Sequence, residues 1–423
     1  MKRRGSVFGV AFLAVLLVFL PPAAAFAETA EVLPKGVSTV RLESNFYFPV
    51  DTRFNENGAE ENPAANLNGN LNSTVFTDLR MLEQPNLPPQ FGGLPPGTAT
   101  LGTSVVKFEY DFTILFLSGA YGVTDRLAIM ARVPYIKARN NVSARLDTTN
   151  ATVGKNTAIN SLAPLAVPGT VPLTTEDIQN LIGGGLDINS DGTPEIPGYG
   201  YKRVETWEGQ GIGDIELGGK YKYYGSERWR LAAGAGIRLP TGKKDDPDSL
   251  VDYAMGYGVY ALLFRAYNDL LVTKDLTLNA TLSYDWQLPD EETLRVPENS
   301  NQGLTKNKGD VDRNPGDIFG IELQGTYFLT KAWSASANYK YAKKGKDSAS
   351  GSNPNFRYQS LEDETAIMEQ VYTVGIAYST IQLYTEKKFP VPLTANIAYR
   401  NRFDGKNNVY KSDYVQVGLQ VFF

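Results

Sequence analysis

Apolar side chains recur at every second position in many segments of this 423-residue chain. In the segment 275–288, Leu276, Leu278, Leu282 and Trp286 share one face, and the positions between them are polar. A period of two is typical of a β-strand that buries only one face. After residue 27, no apolar stretch reaches the roughly 20 residues that a membrane-spanning helix needs. If such a chain crosses a membrane, it does so as a closed β-barrel.

The apolar face of these segments begins and ends near aromatic residues. Trp229 opens the segment 228–240, and Trp333 and Tyr341 bracket the segment 332–343. Transmembrane barrels carry an apolar outer band between two aromatic girdles and a polar interior. The pattern therefore predicts an apolar face toward lipid and a polar face toward the barrel interior. A hydrophobic content of 42% is enough for this, because only one face of each strand is apolar.

Twelve segments follow the pattern closely enough to count as strands. They lie at about 36–48, 104–121, 126–139, 211–224, 228–240, 250–267, 275–288, 316–329, 332–343, 367–384, 391–402 and 411–423. The sixth and tenth alternate poorly, so their facing is left open. The sequence predicts an all-β fold, a transmembrane antiparallel β-barrel of 12 strands. A further hairpin around Ser73 to Met81 would make it 14.

The connections between these segments alternate in length. Short turns at about 122–125, 225–227, 271–274, 330–331 and 385–390 alternate with longer polar loops at about 49–103, 140–210, 241–249, 289–315, 344–366 and 403–410. Outer-membrane barrels have short periplasmic turns and long extracellular loops. We therefore expect residues 28–423 to form one barrel domain with both termini periplasmic and with long extracellular loops at 49–103 and 140–210.

Residues 1–27 have the pattern of a secretory signal peptide. Lys2, Arg3 and Arg4 precede an apolar run from Val7 to Leu20, and the small-residue site at 25–27 follows it. A run of this length is typical of a cleaved signal rather than of a membrane anchor. The expected location is the outer membrane of a Gram-negative-type bacterium, with outer-membrane lipid as a partner. Only Glu28 to Lys35 separate the cleavage site from the first strand, which leaves no room for a long N-terminal hatch before the barrel.

The chain has no cysteine and no histidine, which excludes several classes of site. Disulfide frameworks, thiolate zinc sites and histidine-based catalysis are all ruled out. The net charge of −5 and the isoelectric point near 5.2 argue against a nucleic-acid partner. The chain is predicted to be a non-enzyme that uses no cofactor, with calcium as the one candidate exception given below.

The final strand ends on an aromatic residue. Leu419, Val421 and Phe423 lie on its apolar face. This ending is similar to the signal by which barrel-insertion machinery recognises outer-membrane proteins, so that machinery is an expected partner.

Three blocks of sequence resemble a known family. They are the block from Ala120 to Leu127 that runs on to Tyr135, the block from Gly211 to Ile215 that leads into Tyr221, and the block from Leu231 to Gly242 followed by Asp245 and Asp246. They are similar to outer-membrane transporters associated with the meta-cleavage pathway of phenol degradation. The resemblance covers roughly residues 104–423. It implies a barrel and an uptake function, and it is the source of the expectation of an aromatic or hydrophobic solute.

Charged residues of both signs fall on the predicted inward faces. The candidates for lining the lumen are Asp214, Glu216, Lys220, Lys222, Arg230, Arg238, Glu322, Lys340, Arg400 and Arg402. Lys107, Glu109 and Asp111 are placed inward as well. Paired charges could simply brace a polar interior. Alternatively, clustered Arg and Lys could set a preference among permeating solutes.

The second long loop contains a partial calcium-binding pattern. Asp187, Asn189 and Asp191 stand at alternate positions, Gly192 follows, and Glu195 is the fourth candidate ligand. Closely spaced oxygen ligands around a Gly turn suit a hard cation. A plain turn rich in Asp, Asn and Gly explains the pattern equally well. Just before it, Leu173 to Ile182 is predicted to form a short helix with Thr174 and Asp177 in a capping box.

Taken together, the sequence predicts a channel or transporter for passive uptake of small molecules, with a small-molecule solute as partner. The alternative is a structural or adhesive barrel whose long loops bind a partner. A glycine series at 209, 211 and 213 lacks the spacing of a dinucleotide-binding loop and leads into a strand, so it is not assigned a cofactor.

Overall fold

The computed structural model describes residues 29–299 and 302–423 of the chain. The predicted signal peptide at 1–27 therefore lies outside the described residues. Twelve long antiparallel strands form the main sheet, and they are β1 Ser38–Tyr47, β2 Thr100–Thr124, β3 Leu127–Asp147, β4 Ile215–Gly225, β5 Trp229–Leu239, β6 Ala261–Leu271, β7 Leu276–Gln287, β8 Ile318–Phe328, β9 Trp333–Lys344, β10 Met368–Ser379, β11 Leu393–Lys406 and β12 Ser412–Phe422.

The twelve strands close into a ring. Each strand pairs with its neighbours in the chain, and β1 pairs with both β2 and β12, for example Glu43 with Phe116 and with Gly418. Closure leaves no exposed edge in the ring. The fold is therefore a closed antiparallel 12-stranded transmembrane β-barrel, as predicted.

The alternative of 14 strands is wrong. The main sheet does hold two further short strands, Gly69–Asn72 and Trp207–Ile212, but they pair with the projecting ends of β2 and β3 and lie outside the ring. The segment proposed for an extra hairpin instead contains the 3-10 helix Thr77–Leu82.

The two ends of the barrel differ. The short turns, residues 29–37 and Phe423 lie at one end, which we call the turn end. The long connections lie at the other, the loop end. They contain short strands at Arg53–Phe54, Glu60–Glu61, Val153–Asn156, Ser161–Pro164, Gly185–Leu186, Ile196–Pro197, Asp290–Arg295, Lys308–Asn314, Ser348–Ser350 and Val409–Tyr410, and 3-10 helices at Ala65–Leu67, Pro89–Phe91 and Tyr358–Glu362.

Two α-helices accompany the strands. α1, Thr175–Ile182, lies in the second long loop, and α2, Ile381–Thr385, lies in the connection after β10. α1 begins with the capping box predicted for it, because the Thr174 hydroxyl accepts from Asp177 N–H and the Asp177 carboxylate accepts from Thr174 N–H. Neither helix among the described residues is long and apolar enough to cross a membrane.

The hairpin of β2 and β3 is much longer than expected. The two strands pair from Thr124 with Leu127 to Thr103 with Asp147, so they project beyond the loop end of the ring. The edge of β2 there no longer has β1 beside it. Asn62 and Asn68 cover that edge with their side-chain amides, which bind the backbone of Phe108 and Val106 as a neighbouring strand would.

A compact apolar layer covers the loop end of the ring. We call it the cap; it comprises residues 48–99 and 148–206 packed against the projecting parts of β2 and β3. Its core contains Phe76, Leu79, Leu173, Leu181 and Tyr199, all almost fully buried. The long loops are therefore a folded unit that closes over the barrel mouth.

The sixth predicted strand is partly wrong. It was expected at 250–267, but β6 begins at Ala261, and residues 251–259 form an irregular segment. Most of these residues are buried. Their mixed hydrophobic sequence reflects packing inside the barrel mouth and not a membrane-facing strand, which explains the poor alternation.

Candidate functional site

The wall of the ring has an apolar outer face and a polar inner face. Along β7, Leu278, Leu282 and Trp286 are exposed, whereas Asn279 and Asp285 are buried. The same alternation marks β12, where Leu419 is exposed and Tyr414 is buried. The polar positions therefore point into the barrel, so a site that handles a solute belongs in this interior or at its mouth.

The ten charged residues singled out from the sequence occupy the inner side of the ring. Asp214, Lys220, Arg238, Lys340, Arg400 and Arg402 are buried, and Glu216, Lys222, Arg230 and Glu322 are partly buried. Most of them lie in ion pairs or hydrogen bonds with one another or with other inner residues.

One ion cluster lies under the loop end, on β5, β6 and β7. Arg238 approaches Asp285 to 3.1 Å, and Arg265 approaches the other carboxylate oxygen to 2.6 Å. The guanidinium of Arg238 also stacks on the ring of Tyr257. All of these side chains are nearly inaccessible to solvent. This cluster carries one more positive than negative charge.

A second cluster lies further round the ring, on β9, β10 and β11. The fully buried carboxylate of Glu369 lies 3.0 Å from Lys340 Nζ and 2.8 Å from Arg402 Nε. Arg132 and Glu216 form a looser pair at 3.7 Å between β3 and β4. The two clusters together place an excess of cations in the loop-end half of the lumen.

Sequence reasoning missed three of these inner charges, namely Arg265, Asp269 and Glu369. Arg265 and Asp269 lie on β6, and Glu369 lies on β10. These are the two strands whose alternation was weakest. The inward face of β6 does not stand out as polar in the sequence, because Ala261, Leu263 and Tyr267 are buried on that same face.

The predicted inward position of Lys107, Glu109 and Asp111 is wrong. All three are exposed, and the inward positions of β2 are Val106, Phe108, Tyr110, Phe112, Ile114 and Phe116. The alternation was read correctly but assigned to the wrong face. The cap packs against this inner side of β2, so here the interior is apolar and the outward face meets water.

The N-terminal segment enters the lumen at the turn end. Ala30 N–H donates to both carboxylate oxygens of Asp269, and Lys220 Nζ donates to the carbonyl of Thr29 at 2.9 Å. Glu31 pairs with Lys222 and with Arg230, each at 2.8 Å. This short segment therefore lies against one side of the lumen wall.

Beside this segment the lumen is open. A chamber of about 260 Å³ lies between the N-terminal segment and β8 to β12 and β1. Its wall mixes polar side chains, among them Ser336, Asn338, Thr373, Asn396 and Arg400, with small apolar ones. The lower barrel therefore holds an open space of the size of a small solute.

The segment 251–259 narrows the loop end from inside, and we call it the constriction segment. Asp214 anchors it by accepting from Tyr257 N–H at 2.6 Å, and Asn140 holds the carbonyl of Val251 at 2.9 Å. Gly256 is required here, because a Cβ at this position would lie 2.2 Å from Asp214 Oδ1. Asp214 thus positions a loop and is not an open lumen charge.

The glycine series at 209, 211 and 213 now has a structural explanation. These residues line the inner side of the strand Trp207–Ile212 and the bend after it. Built Cβ atoms at 209 and 211 would lie 3.0 Å and 3.1 Å from the Met255 side chain. The glycines therefore leave room for the Met255 side chain, which packs the constriction segment against this strand.

The candidate calcium ligands do gather in space. One carboxylate oxygen from each of Asp187, Asp191 and Glu195 lies within 4.8 Å of the others. The same groups accept backbone hydrogen bonds within the turn, for example Asp187 from Gly192 N–H at 2.8 Å and Glu195 from Ile188 N–H at 2.7 Å. Asn189 accepts from Asp191 N–H. Calcium binding here stays a prediction.

Similar folds occur among solved outer-membrane proteins. An outer membrane channel from Pseudomonas putida F1 is 13% identical, with 93% of this chain and 98% of that chain covered and a TM-score of 0.50. The Ralstonia pickettii toluene transporter TbuX is also 13% identical, with coverages of 92% and 90% and a TM-score of 0.35. The TodX deltaS2S3 mutant monoaromatic hydrocarbon channel has 13% identity, coverages of 92% and 91% and a TM-score of 0.36.

No curated protein sequence matches this chain. A family model does: the family described as "Putative MetA-pathway of phenol degradation" matches residues 148–362, which is more than half of the chain. The match spans α1, the constriction segment and the strands that carry most of the first ion cluster. This protein therefore belongs to that phenol-degradation family of outer-membrane barrels.

Proposed function

We propose that this protein is an outer-membrane channel for the passive uptake of small molecules, among them aromatic or hydrophobic ones. The observation that supports this most is the layering of the interior. An apolar cap and the apolar inner wall of β2 lie on the loop-end side of a chamber of about 260 Å³ whose wall carries several polar side chains. A weakly polar solute that enters from the loop end would contact apolar side chains first and would reach the chamber last.

The orientation of the barrel in the membrane follows from the difference in loop length between its two ends. Outer-membrane barrels place long loops outside the cell and short turns in the periplasm. We therefore assign the cap to the cell surface and the N-terminal segment to the periplasmic side. TbuX is a toluene transporter, and TodX is a monoaromatic hydrocarbon channel. That is consistent with the proposed solute class.

The inner cations would add a preference among solutes. Arg238 and Arg265 share one carboxylate, and Lys340 and Arg402 share another. An excess of cations along a narrow path favours anions over cations of similar size. We propose that this excess also favours the ionised forms of small aromatic acids over organic cations.

The test compares solute classes in a membrane that is itself a barrier to them. Cells that lack their own hydrocarbon channels and express this chain should take up radiolabelled toluene faster than cells with an empty vector. Liposome swelling with phenol, short alkanoates and sugars then ranks the polar solutes. Equal uptake of toluene in both strains, together with no swelling for any solute, would leave a structural or adhesive barrel as the remaining function.

A further inference from the structure

The cap contains a cavity whose lining is mostly apolar. It has a volume of about 90 Å³ and lies between the first long loop, the projecting ends of β2 and β3, and α1. Its wall includes Leu71, Val75, Phe76, Val106, Ile178 and Leu304. Protein interiors are close-packed and contain few voids larger than a water molecule, so an apolar cavity of this size is a candidate binding site.

Three of the polar side chains that line the cavity, those of Gln179, Thr175 and Asn66, are already hydrogen-bonded. The amide of Gln179 donates to the carbonyl of Val204 and accepts from its N–H, both at 2.9 Å. The Thr175 hydroxyl oxygen accepts from Leu146 N–H, and the Asn66 carbonyl oxygen accepts from Arg53. These side chains offer few further hydrogen bonds to a molecule in the cavity. A water molecule would be poorly hydrogen-bonded there, whereas an apolar molecule needs no hydrogen bonds.

The cavity is built from segments that are far apart in the sequence. α1 supplies one wall from positions 175, 178, 179 and 182, which share a helix face. Gly303 N–H bonds to the Thr74 carbonyl and brings Leu304 against the first loop. Arg145 lines the cavity and is exposed, so the cavity is not sealed within the core. Small shifts of these loops would admit a ligand.

An apolar wall leads from the cavity toward the lumen. Val106 lines the cavity, and Phe108, Tyr110, Phe112, Ile114 and Phe116 follow it at alternate positions down the inner face of β2. The aromatic rings are in contact, since the centroids of Tyr110 and Phe112 lie 5.4 Å apart and those of Phe112 and Tyr253 4.8 Å apart. The cavity is therefore the outer end of a continuous apolar surface.

We propose that this cavity is a binding site for one small neutral apolar molecule, of the size of a single six-membered ring or a short hydrocarbon chain. An apolar protein cavity of about 150 Å³ holds benzene. The present cavity, of about 90 Å³, therefore accepts a ring only when the loops that form its wall move outward. The inference rests on the proposed uptake function, for which it supplies the first site that a solute occupies.

The test is to soak crystals of the full chain with bromobenzene and to locate bromine by its anomalous scattering. The expected result is a bromine peak inside the cavity. Ala144→Phe fills the cavity from β3 and should remove the peak. Leu162→Phe is the matched control, because Leu162 is buried in the same cap but does not line the cavity; its peak should remain.

A second variant covers the case in which Ala144→Phe does not fold. Leu304→Ala enlarges the cavity and should let 1-bromonaphthalene bind where the unmodified protein admits only bromobenzene. No bromine in the cavity of either protein would overturn the proposal.

Uptake of toluene by cells, measured on the same variants, separates this site from the proposed function. Normal uptake without bromine in the cavity disproves the site alone. Bromine in the cavity without any uptake disproves the channel alone.

Discussion

Buried charges inside the ring are held by neighbours and not by water, and Glu369 shows this most clearly. Its carboxylate lies between Lys340 and Arg402, and all three side chains are nearly inaccessible. Removing one member of such a cluster leaves uncompensated charge, which costs about 3–5 kcal/mol in other proteins.

We therefore expect Glu369→Gln to destabilise the barrel by about that amount. The measurement is the guanidinium midpoint at which the folded band is lost on unheated gels. Glu208→Gln is the control, because Glu208 pairs with Arg139 at 3.1 Å on an exposed surface, and it should leave the midpoint nearly unchanged. Equal midpoints for Glu369→Gln and the unmodified protein would contradict the buried-cluster interpretation.

Arg238 gives a prediction about selectivity. Neutralising it removes one lumen cation, while Asp285 keeps its pair with Arg265, so the structure tolerates the change. In planar bilayers under a salt gradient, Arg238→Gln and the double variant with Arg230→Gln should shift the reversal potential toward lower anion preference. Arg139→Gln, on the outer face, serves as control. Unchanged reversal potentials would mean that the inner cations only brace the wall.

At the residue scale, the sequence predicted which side chains are charged and inward on most strands but not what they contact. Arg238 and Lys340 were placed correctly inside from alternation alone. Their partners Arg265 and Glu369 were missed, because β6 and β10 alternate weakly. Lys107 was assigned to the wrong face, since alternation gives two faces and only the packing of the cap decides which is inner.

At the scale of single elements, the stability of α1 depends on one carboxylate, that of Asp177. Burial raises the pKa of Asp177, but hydrogen bonds from Lys155 and Thr174 outweigh it and hold the pKa below its usual range. A carboxyl with a lowered pKa in the folded state stabilises that state fully above its unfolded pKa, near 4. This contribution is lost as the pH falls through the lower folded value.

Acid should therefore loosen α1. Backbone amides of residues 178–182 should lose protection from hydrogen exchange between pH 5 and pH 2, after correction for the intrinsic rate. In Asp177→Asn the same amides should already be less protected at pH 5 and should change little with pH. Full protection of α1 at pH 2 in the unmodified chain would show that the ionised carboxylate is not what holds the helix.

The turn at 187–195 supplies a second prediction at this scale. Three carboxylates within 4.8 Å repel one another unless a cation lies among them. Millimolar calcium should raise the melting temperature of the cap and slow proteolysis of this loop, and the double variant Asp187→Asn with Asp191→Asn should show neither effect. If calcium changes neither quantity in the unmodified protein, the cluster is a turn and no more.

Element boundaries were predictable wherever alternation reached from turn to turn. The predicted segments 228–240 and 275–288 match β5 and β7 to within one or two residues. The constriction segment was not predictable, because its Val, Tyr and Met residues resemble a strand in composition. The glycines beside Met255 could be seen in the sequence, but their packing against Met255 is a long-range contact that the sequence pattern does not reveal.

The whole molecule consists of a ring in lipid and a cap in water, and we expect the two to unfold separately. Leu181 is buried in the cap core, so Leu181→Ala should destabilise the cap by about 2–5 kcal/mol. The chain has four tryptophans, and Trp207 is the one that packs against this core. A variant that keeps only Trp207 would report on the cap.

In that variant, Leu181→Ala should lower the urea midpoint of the Trp207 fluorescence transition while the ring keeps its folded band on unheated gels. Ile159→Ala, at an exposed position of the same cap, is the control and should leave the midpoint in place. A single transition that moves ring and cap together would show that they unfold as one unit.

The number of strands and their order followed from the sequence, because strand alternation and turn length both recur along the whole chain. The cap did not, since its core joins residues such as Val75 and Leu181, with Leu304 from another loop packed beside them, and no local period connects these residues. The contacts of Thr29 to Glu31 with the lumen wall were likewise not predictable, because three residues carry no pattern.

The apolar core of the cap has a consequence for temperature. When the cap opens, its core meets water, so its unfolding carries a large positive heat capacity change and its stability passes through a maximum. The outer face of the ring stays in lipid and has no such term. Cooling weakens burial of apolar groups from water, so the cap loosens in the cold while the ring does not. The outer mouth of this barrel is therefore the cold-sensitive part of the protein.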